Sequence, residues 1–136
     1  MARDRFHNVV RTALEKDNWE ITADPYEISI DDVDFEIDLA AEQLLAAERE
    51  NQKVAVEVKS FITSSHVSGF HTALGQFLNY RDALSRIEPE RQLYLAVREP
   101  IFESFFQRRF ILAAVQRYQL RLLVYDVEQE VIVQWL

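Results

Sequence analysis

The sequence predicts an α/β fold in which a mixed β-sheet is flanked by helices. The first observation is the order of periodic segments, which runs helix, several strands, helix, strand, helix and two strands. The second is the segment VAVEVKS at residues 54–60, whose β-branched residues are typical of a strand buried on both faces. The third is the length of 136 residues with 49% hydrophobic residues, which predicts one globular domain spanning residues 1–136.

The first helix is predicted over residues 3–16, where apolar positions recur with helical spacing. These positions are Phe6, Val9, Val10, Ala13 and Leu14. We expect the helix to end at Asp17-Asn18, because asparagine tolerates the left-handed conformation of a helix end. Short strands are predicted at residues 19–22 and around 28–30, separated by a turn at Asp24-Pro25.

A third strand is predicted over residues 33–39, where apolar residues alternate with three carboxylates, Asp34, Glu36 and Asp38. Residues 40–48 carry conflicting signals. Their alanine, leucine and glutamate content favours a helix, whereas a hairpin turning at residues 50–52 favours a strand. We favour the strand, because the buried segment that follows needs an antiparallel neighbour.

The second half is predicted to begin with a long helix over residues 66–86, ended by Glu88-Pro89. A buried strand is predicted at 92–97, followed by a helical region at 101–119 that is broken near 107–109. Two strands, at 121–125 and 131–135, are predicted to end the chain. The helical region contains four phenylalanines, Phe102, Phe105, Phe106 and Phe110. Part of this aromatic surface is expected to contact another chain, and plain core packing is the alternative.

Glu57 and Lys59 interrupt the buried strand and project from the same face. Charged groups are rarely buried unless they are paired or bind a metal. Asp38, nineteen residues before Glu57, completes a pair of carboxylates that could bind Mg²⁺ or Mn²⁺. Such an ion would polarise a phosphate oxygen, and the Lys59 ammonium would orient water or stabilise charge. The alternative is that Glu57 and Lys59 lie at the end of the strand and pair with surface groups.

Which carboxylate lies beside Glu57 as the second metal ligand depends on the register of the hairpin. A turn centred near Asn51 places Glu57 opposite Leu45, so Asp38 reaches the site only if the chain bends near residues 40–41. Glu42 is therefore the reserve for Asp38 as a metal ligand. Gln76 and Tyr80 lie one helical turn apart and share a side, which is either a solvated face or part of the site.

Composition narrows the class of protein. Because the chain has no cysteine, disulfides and thiolate metal sites are excluded, and with only two glycines a glycine-rich phosphate loop is not expected. The net charge of −8 argues against strong non-specific binding to nucleic acid by the isolated chain. No apolar run is long enough to span a membrane and no signal peptide is visible, so a cytoplasmic location is expected.

The phrases IDLAAEQLLAAE, VAVEVKSF, ALGQFLNYRDAL, LYLAV and LLVYDVEQEVIVQW resemble the XisH family over essentially the whole chain. This family comprises cyanobacterial fdxN element excision controlling factors and is placed in the PD-(D/E)XK nuclease-like superfamily. The resemblance implies a restriction-endonuclease-like fold and a role in programmed DNA excision during heterocyst development. It also implies a small partner protein, XisI, and a dedicated recombinase.

The resemblance also implies site residues. Asp38, Glu57 and Lys59 match the superfamily motif, and Gln76 matches a glutamine often found on the helix that follows it. Related nuclease-fold proteins place a carboxylate from the first helix near the metal, and His7 lies where that group is expected, with Glu15 as the alternative. Asn18 replaces an expected glycine, a harmless change in a left-handed helix end.

Two functions follow from these observations. In the first, the chain is a metal-dependent DNA endonuclease that acts with an XisI-like partner, in a complex with DNA. In the second, it is an accessory protein with a nuclease fold that binds the partner or the recombination machinery without catalysis. The intact Asp/Glu/Lys set favours the first, whereas the acidic charge and the aromatic third helix favour the second. A homodimer is also compatible with the aromatic surface.

Overall fold

The computed structural model describes residues 4–45, 50–62 and 65–136. Its helices are α1 (His7–Lys16), α2 (His66–Ile87), α3 (Glu99–Glu103) and α4 (Arg109–Arg117), with a 3₁₀ turn (Phe105–Gln107) between the last two. Its strands are β1 (Glu20–Ala23), β2 (Tyr26–Ile30), β3 (Val33–Ile37), β4 (Leu39–Leu45), β5 (Glu50–Val58), β6 (Gln92–Arg98), β7 (Leu122–Asp126) and β8 (Val131–Trp135).

Six strands form one mixed sheet in the order β1-β4-β5-β6-β7-β8. The pairs β5–β6 and β6–β7 are parallel, as connections through α2 and through α3 and α4 allow, and the other pairs are antiparallel. Strands β2 and β3 form a separate antiparallel hairpin. The predicted mixed sheet flanked by helices is therefore confirmed. Within the described ranges, no helix is long and apolar enough to cross a membrane.

The central strand β5 is buried on both faces, as its composition predicted. Val54, Val56 and Val58 pack into a cluster with α1 and Trp19 on one face of the sheet. Ala55 packs on the other face into the larger cluster, which contains the apolar sides of α2, α4 and the β2–β3 hairpin. Because side chains alternate along a strand, Glu57 shares the α2 face with Ala55.

The predicted C-terminal ends of α1 and α2 agree with the structure to within one residue. The predicted start of the first helix at residue 3 is wrong, because α1 begins at His7 and residues 5–6 form a turn. α1 is followed by Asn18 in the left-handed region at a φ of 67°. α2 begins at the N-cap Ser65, whose side chain accepts a hydrogen bond from the Ser68 N–H, and it is capped at its end by Glu88. The third helical region is broken on both sides of the 3₁₀ turn, which confirms the predicted interruption.

The predicted turn at residues 50–52 is wrong, because these residues belong to β5 and Leu45 pairs with Glu50. The connection therefore falls within residues 46–49, outside the described residues. The strand prediction for residues 40–45 is confirmed, whereas its extension over 46–48 also falls outside the described residues. Residues 33–39 are not one strand, since β3 ends at Ile37 and β4 begins at Leu39.

The shifted turn also changes the register that carries the site. Leu39 pairs with Val56, so the predicted pairing of Glu57 with Leu45 is wrong. The next cross-strand position brings Asp38 beside Glu57, and no bend at residues 40–41 is required.

Candidate metal centre

Asp38 and Glu57 are joined by reciprocal contacts at the edge of the β4–β5 pair. The main-chain N–H of Asp38 donates to Oε1 of Glu57 at 3.2 Å. The N–H of Val58 donates to Oδ2 of Asp38 at 2.7 Å. The Glu57 carboxylate is thus fixed by the main chain of Asp38, and the Asp38 carboxylate by the main chain of the residue after Glu57. These two contacts hold the acidic groups close together.

Lys59 lies beside this pair, with its Nζ 3.7 Å from Oε2 of Glu57. The Glu57 side chain is only 9% exposed. Burial, followed by the negative charge of Asp38, raises the pKa of Glu57 to about 8, although the Lys59 ammonium acts in the opposite direction. Without a further positive charge, Glu57 therefore holds a proton at neutral pH.

Lys59 is positioned by the main chain on either side of it. Its own N–H donates to the carbonyl of Ala96 at 3.1 Å, which continues the parallel pairing of β5 with β6. The next residue, Ser60, is held at both ends of its main chain. Its N–H donates to Oδ2 of Asp4 at 2.9 Å, and its carbonyl accepts from Nε of Arg98 at 3.0 Å. The chain that leaves the site is thus anchored directly after Lys59.

His7 reaches the same site from the start of α1. Its side chain is 3% exposed, and its Nδ1 lies 3.9 Å from Oδ1 of Asp38. The other ring nitrogen, Nε2, lies 2.7 Å from Oδ1 of Asp24, and Oδ2 of Asp24 accepts from Nη1 of Arg11 at 2.6 Å. Nδ1 has no hydrogen-bond partner among the described residues. Because the Asp24 carboxylate accepts a hydrogen bond from Nε2–H, the lone pair of a neutral His7 lies at Nδ1, the nitrogen nearer Asp38.

Helix α2 approaches the site at Tyr80, whose hydroxyl senses the charges of Glu57 and Asp38. Tyr80 is buried, so a solvated face is excluded for it. Its pKa is raised to about 12 by burial and then by the charges of Glu57, Asp38 and Glu36, which keeps its hydroxyl protonated. Gln76 lies one turn earlier on the same side of the helix. Its Oε1 is buried and, within the described part of the chain, has no hydrogen-bond partner.

The structure does not bring the two remaining candidates to the site. Glu42 pairs with Lys53 across the strands and lies 3.6 Å from Nη2 of Arg91. It lies four positions along the chain from Asp38, roughly 13 Å in an extended strand. Glu15 lies on an exposed turn of α1, 3.9 Å from Nε of Arg11.

The donor set is compatible with Mg²⁺ or Mn²⁺. Over residues 4–45, 50–62 and 65–136, no group of three or more histidine, cysteine or acidic side chains is arranged to hold a metal. Mg²⁺, however, is commonly bound through one or two carboxylates and keeps several waters. The Asp38–Glu57 pair meets this requirement with hard oxygen donors. A cation there would also offset the burial of a Glu57 carboxylate that Lys59 alone does not neutralise.

Sequence reasoning missed two residues that shape this site, Asp24 and Asp4, and left Tyr80 open between a solvated face and the site. Asp24 was assigned only to a turn, although it lies against His7 and Arg11. Asp4 precedes α1 and contacts Ser60, far along the chain. Neither contact has a signal in the local sequence. For Tyr80, the spacing from Gln76 was the available signal.

Comparisons with known proteins identify the family. The model of the family described as XisH protein matches residues 1–133. An XisH family protein from Nostoc punctiforme has a crystal structure that is 54% identical, covers 98% of this chain and 99% of that chain, and superimposes with a TM-score of 0.89. A fdxN element excision controlling factor protein from Anabaena variabilis is 53% identical over 98% of each chain, with a TM-score of 0.89. No curated protein matches this chain. The chain belongs to the XisH family.

Proposed function

We propose that this protein controls the excision of a DNA element and carries a divalent-metal site of the PD-(D/E)XK nuclease type. One observation carries the proposal. Asp38, Glu57 and Lys59, which are separated in the sequence, lie side by side at one end of β5. An acidic pair next to an ammonium is the arrangement expected for binding a metal and a phosphate group together. The relative from Anabaena variabilis, whose name describes control of fdxN element excision, supports the biological role.

In this proposal, Asp38 and Glu57 hold Mg²⁺ or Mn²⁺, and His7, whose Nδ1 lies 3.9 Å from Oδ1 of Asp38, is the reserve donor that would complete the set when a metal binds. The bound ion would act as a Lewis acid toward a phosphate oxygen and lower the pKa of a coordinated water. Lys59 would place a positive charge beside an anionic phosphate oxygen bound at the metal. Tyr80 remains protonated and is thus a hydrogen-bond donor at the α2 side. Gln76 offers a buried side-chain amide one turn away.

We infer that DNA is contacted with the help of an XisI-type partner. The chain carries 23 acidic and 15 basic residues, so its overall field repels a polyanion. The β2–β3 hairpin adds to this repulsion near the site, because Glu27 and Glu36 lie directly opposite each other. A partner that brings positive charge would offset this repulsion.

The second candidate function is that of a regulatory protein without catalysis, which binds the partner or the recombinase through the same fold. The observation that favours it is the Phe110 ring on α4, which is 72% exposed in a chain of net charge −8. An exposed aromatic surface suits a protein partner, whereas the acidic charge repels DNA.

The two functions are separated by a plasmid-cleavage assay with Mg²⁺ or Mn²⁺, in the presence and absence of the XisI-type partner. For the endonuclease, we expect cleavage by the wild type and its loss in Lys59→Ala. Lys16→Ala is the matched control, because Lys16 lies at the far end of α1 and contacts only the carbonyl of Gln129 among the described residues.

Absence of cleavage under every condition, together with co-purification of the XisI-type protein, would support the regulatory function. Absence of both cleavage and co-purification would contradict both functions. Size-exclusion chromatography of the same samples tests whether a homodimer forms.

A further inference from the structure

An apolar groove lies between the start of α2 and the start of α4. We call it the α2–α4 groove, and it is lined by Val67, Phe70, Phe105, Arg108, Phe110 and Ile111. Its volume is about 250 Å³, which is below the range of about 300–1,000 Å³ that is typical of small-molecule sites. The groove therefore suits one or two side chains rather than a cofactor.

The floor of the groove is buried, whereas its walls are open. Phe105 contacts the rings of Phe61, Phe70 and Phe106 with centroid distances of 5.6–6.0 Å. By contrast, the Phe110 ring is 72% exposed, and Val67 is 47% exposed. A packed aromatic floor below exposed apolar walls is a preformed surface, and such surfaces mark interaction sites.

The rim of the groove is positive, in a chain whose net charge is −8. Arg108 and Arg109 adjoin Phe110, and among the described residues neither forms an ion pair with a carboxylate. The Arg108 guanidinium lies 5.8 Å from the centroid of Phe105, directly beside the apolar floor.

The same two arginines lie at the start of α4, the positive end of the helix dipole. This helix has no side-chain cap and no acidic residue in its first turn. Basic residues at an uncapped N-terminus are unfavourable unless a negative group approaches from outside. The positive rim and the start of the helix therefore both favour a negatively charged group such as a carboxylate.

We propose that the α2–α4 groove docks a segment of a partner protein in which a leucine- or phenylalanine-type side chain is flanked by aspartate or glutamate. The apolar side chain enters the groove beside Phe110, and the carboxylates face Arg108, Arg109 and the start of α4. Nucleic acid fits less well, because the groove is concave and partly aliphatic, and because the chain as a whole is acidic. The docking proposal does not depend on the metal-site proposal.

The test uses the full chain and three labelled synthetic helical peptides of equal length. The first carries leucines along one face and glutamates elsewhere. The second replaces each glutamate by lysine, and the third replaces each leucine by alanine. Binding is measured by fluorescence anisotropy and located by ¹⁵N–¹H NMR shifts. We expect binding of the leucine–glutamate peptide alone, with the largest shifts at residues 108–111.

Two variants of exposed residues and a matched control complete the test. We expect Arg108→Glu/Arg109→Glu to weaken binding by about tenfold or more, and Phe110→Ser to weaken it comparably. Arg117→Glu/Arg121→Glu changes the net charge equally at the C-terminal end of α4 and just beyond it, and is expected to leave binding unchanged.

Three results would overturn the proposal. They are absence of binding by the leucine–glutamate peptide, equal binding of the lysine peptide, and insensitivity to the Arg108/Arg109 change. A fourth is tighter binding of a labelled oligothymidylate that the same double change abolishes, since this would assign the groove to nucleic acid.

Discussion

The N–H of Asp38 donates to Oε1 of Glu57 at 3.2 Å, although the two residues are separated by eighteen others in the sequence. This contact brings a second carboxylate to a glutamate that is already buried. Its consequences for protonation, metal binding and stability can each be measured.

The pH dependence of stability reports on Glu57 in the metal-free protein. Its pKa is raised from 4.5 to about 8, so between these values the folded state holds a proton that the unfolded state has lost. The free energy of unfolding is therefore expected to fall as pH rises from about 4.5 to 8, by on the order of 5 kcal/mol.

Urea denaturation with EDTA from pH 5 to 9 measures this fall. In Glu57→Gln the fall is expected to be largely absent, which makes the variant more stable than the wild type at pH 8. Glu42→Gln serves as the control, and identical pH profiles for Glu57→Gln and the wild type would contradict the assignment.

Metal binding is expected to displace the Glu57 proton. At pH 7, Mn²⁺ should release close to one proton per ion, and its affinity should rise with pH up to about 8. Calorimetry in buffers with different ionisation enthalpies counts the proton. Asp38→Asn and Glu57→Gln are expected to lose binding, whereas Glu42→Gln, at the Arg91 end of β4, should retain it. Binding without proton release would show that the ion avoids Glu57.

Asp24 is expected to act on the metal through His7. A carboxylate that accepts a hydrogen bond from one ring nitrogen orients the other toward a metal, and losing it typically costs about 10–100-fold in affinity. Asp24→Asn should therefore weaken Mn²⁺ binding in this range while the chain remains folded by circular dichroism. Glu15→Gln, on the same helix as His7, is the control. Unchanged affinity in Asp24→Asn would place His7 outside the coordination sphere.

Arg91 is expected to be important for stability rather than for the site. Its buried guanidinium donates to both oxygens of Glu88, at 2.7 and 3.0 Å, and to the carbonyls of Ala41 and Val54. Because Glu88 is partly exposed, losing these charge-assisted hydrogen bonds is expected to cost on the order of 2–3 kcal/mol. Arg91→Met should show this loss in urea denaturation, and the exposed Arg86→Met should stay within about 0.5 kcal/mol of the wild type.

The Glu88–Arg91 pair also predicts that the free energy of unfolding falls at acidic pH. Arg91 and the Tyr26 hydroxyl lower the pKa of Glu88 from 4.5 to about 2. The stabilisation is therefore complete above about pH 4.5 and is lost as pH falls toward 2. Glu88→Gln should reduce this loss of stability at low pH. If the variant loses as much stability as the wild type, the loss arises from other carboxylates.

Much of the fold could be predicted, because the local sequence carries its signals. The VAVEV run indicated a strand buried on both faces, and Asn18 indicated a left-handed helix end. The hairpin turn could not be located, since residues 45–49 contain no glycine, proline or asparagine to mark it. An error of several residues in the turn moved every cross-strand partner of Glu57, so Glu42 had to be kept in reserve beside Asp38.

The sequence predicted the relative positions of site residues only where they lie in one short segment. Glu57 and Lys59 share a strand, so their common face followed from the period of two. The contact of His7 with Asp24 links a helix to a distant turn, and tertiary packing rather than spacing brings them together. Tyr80 appeared ambiguous because helical periodicity locates a side of the helix but does not show what covers it.

The groups gathered around Asp38 come from α1, the turn before β2, the ends of β4 and β5, and α2. None of these segments alone holds more than part of the set, so only the fully folded chain offers a cation its complete surroundings. By mass action, a bound ion would then raise the melting temperature of the whole domain. The rise in melting temperature on adding Mn²⁺ would therefore report both that the metal site is occupied and that the tertiary structure is intact.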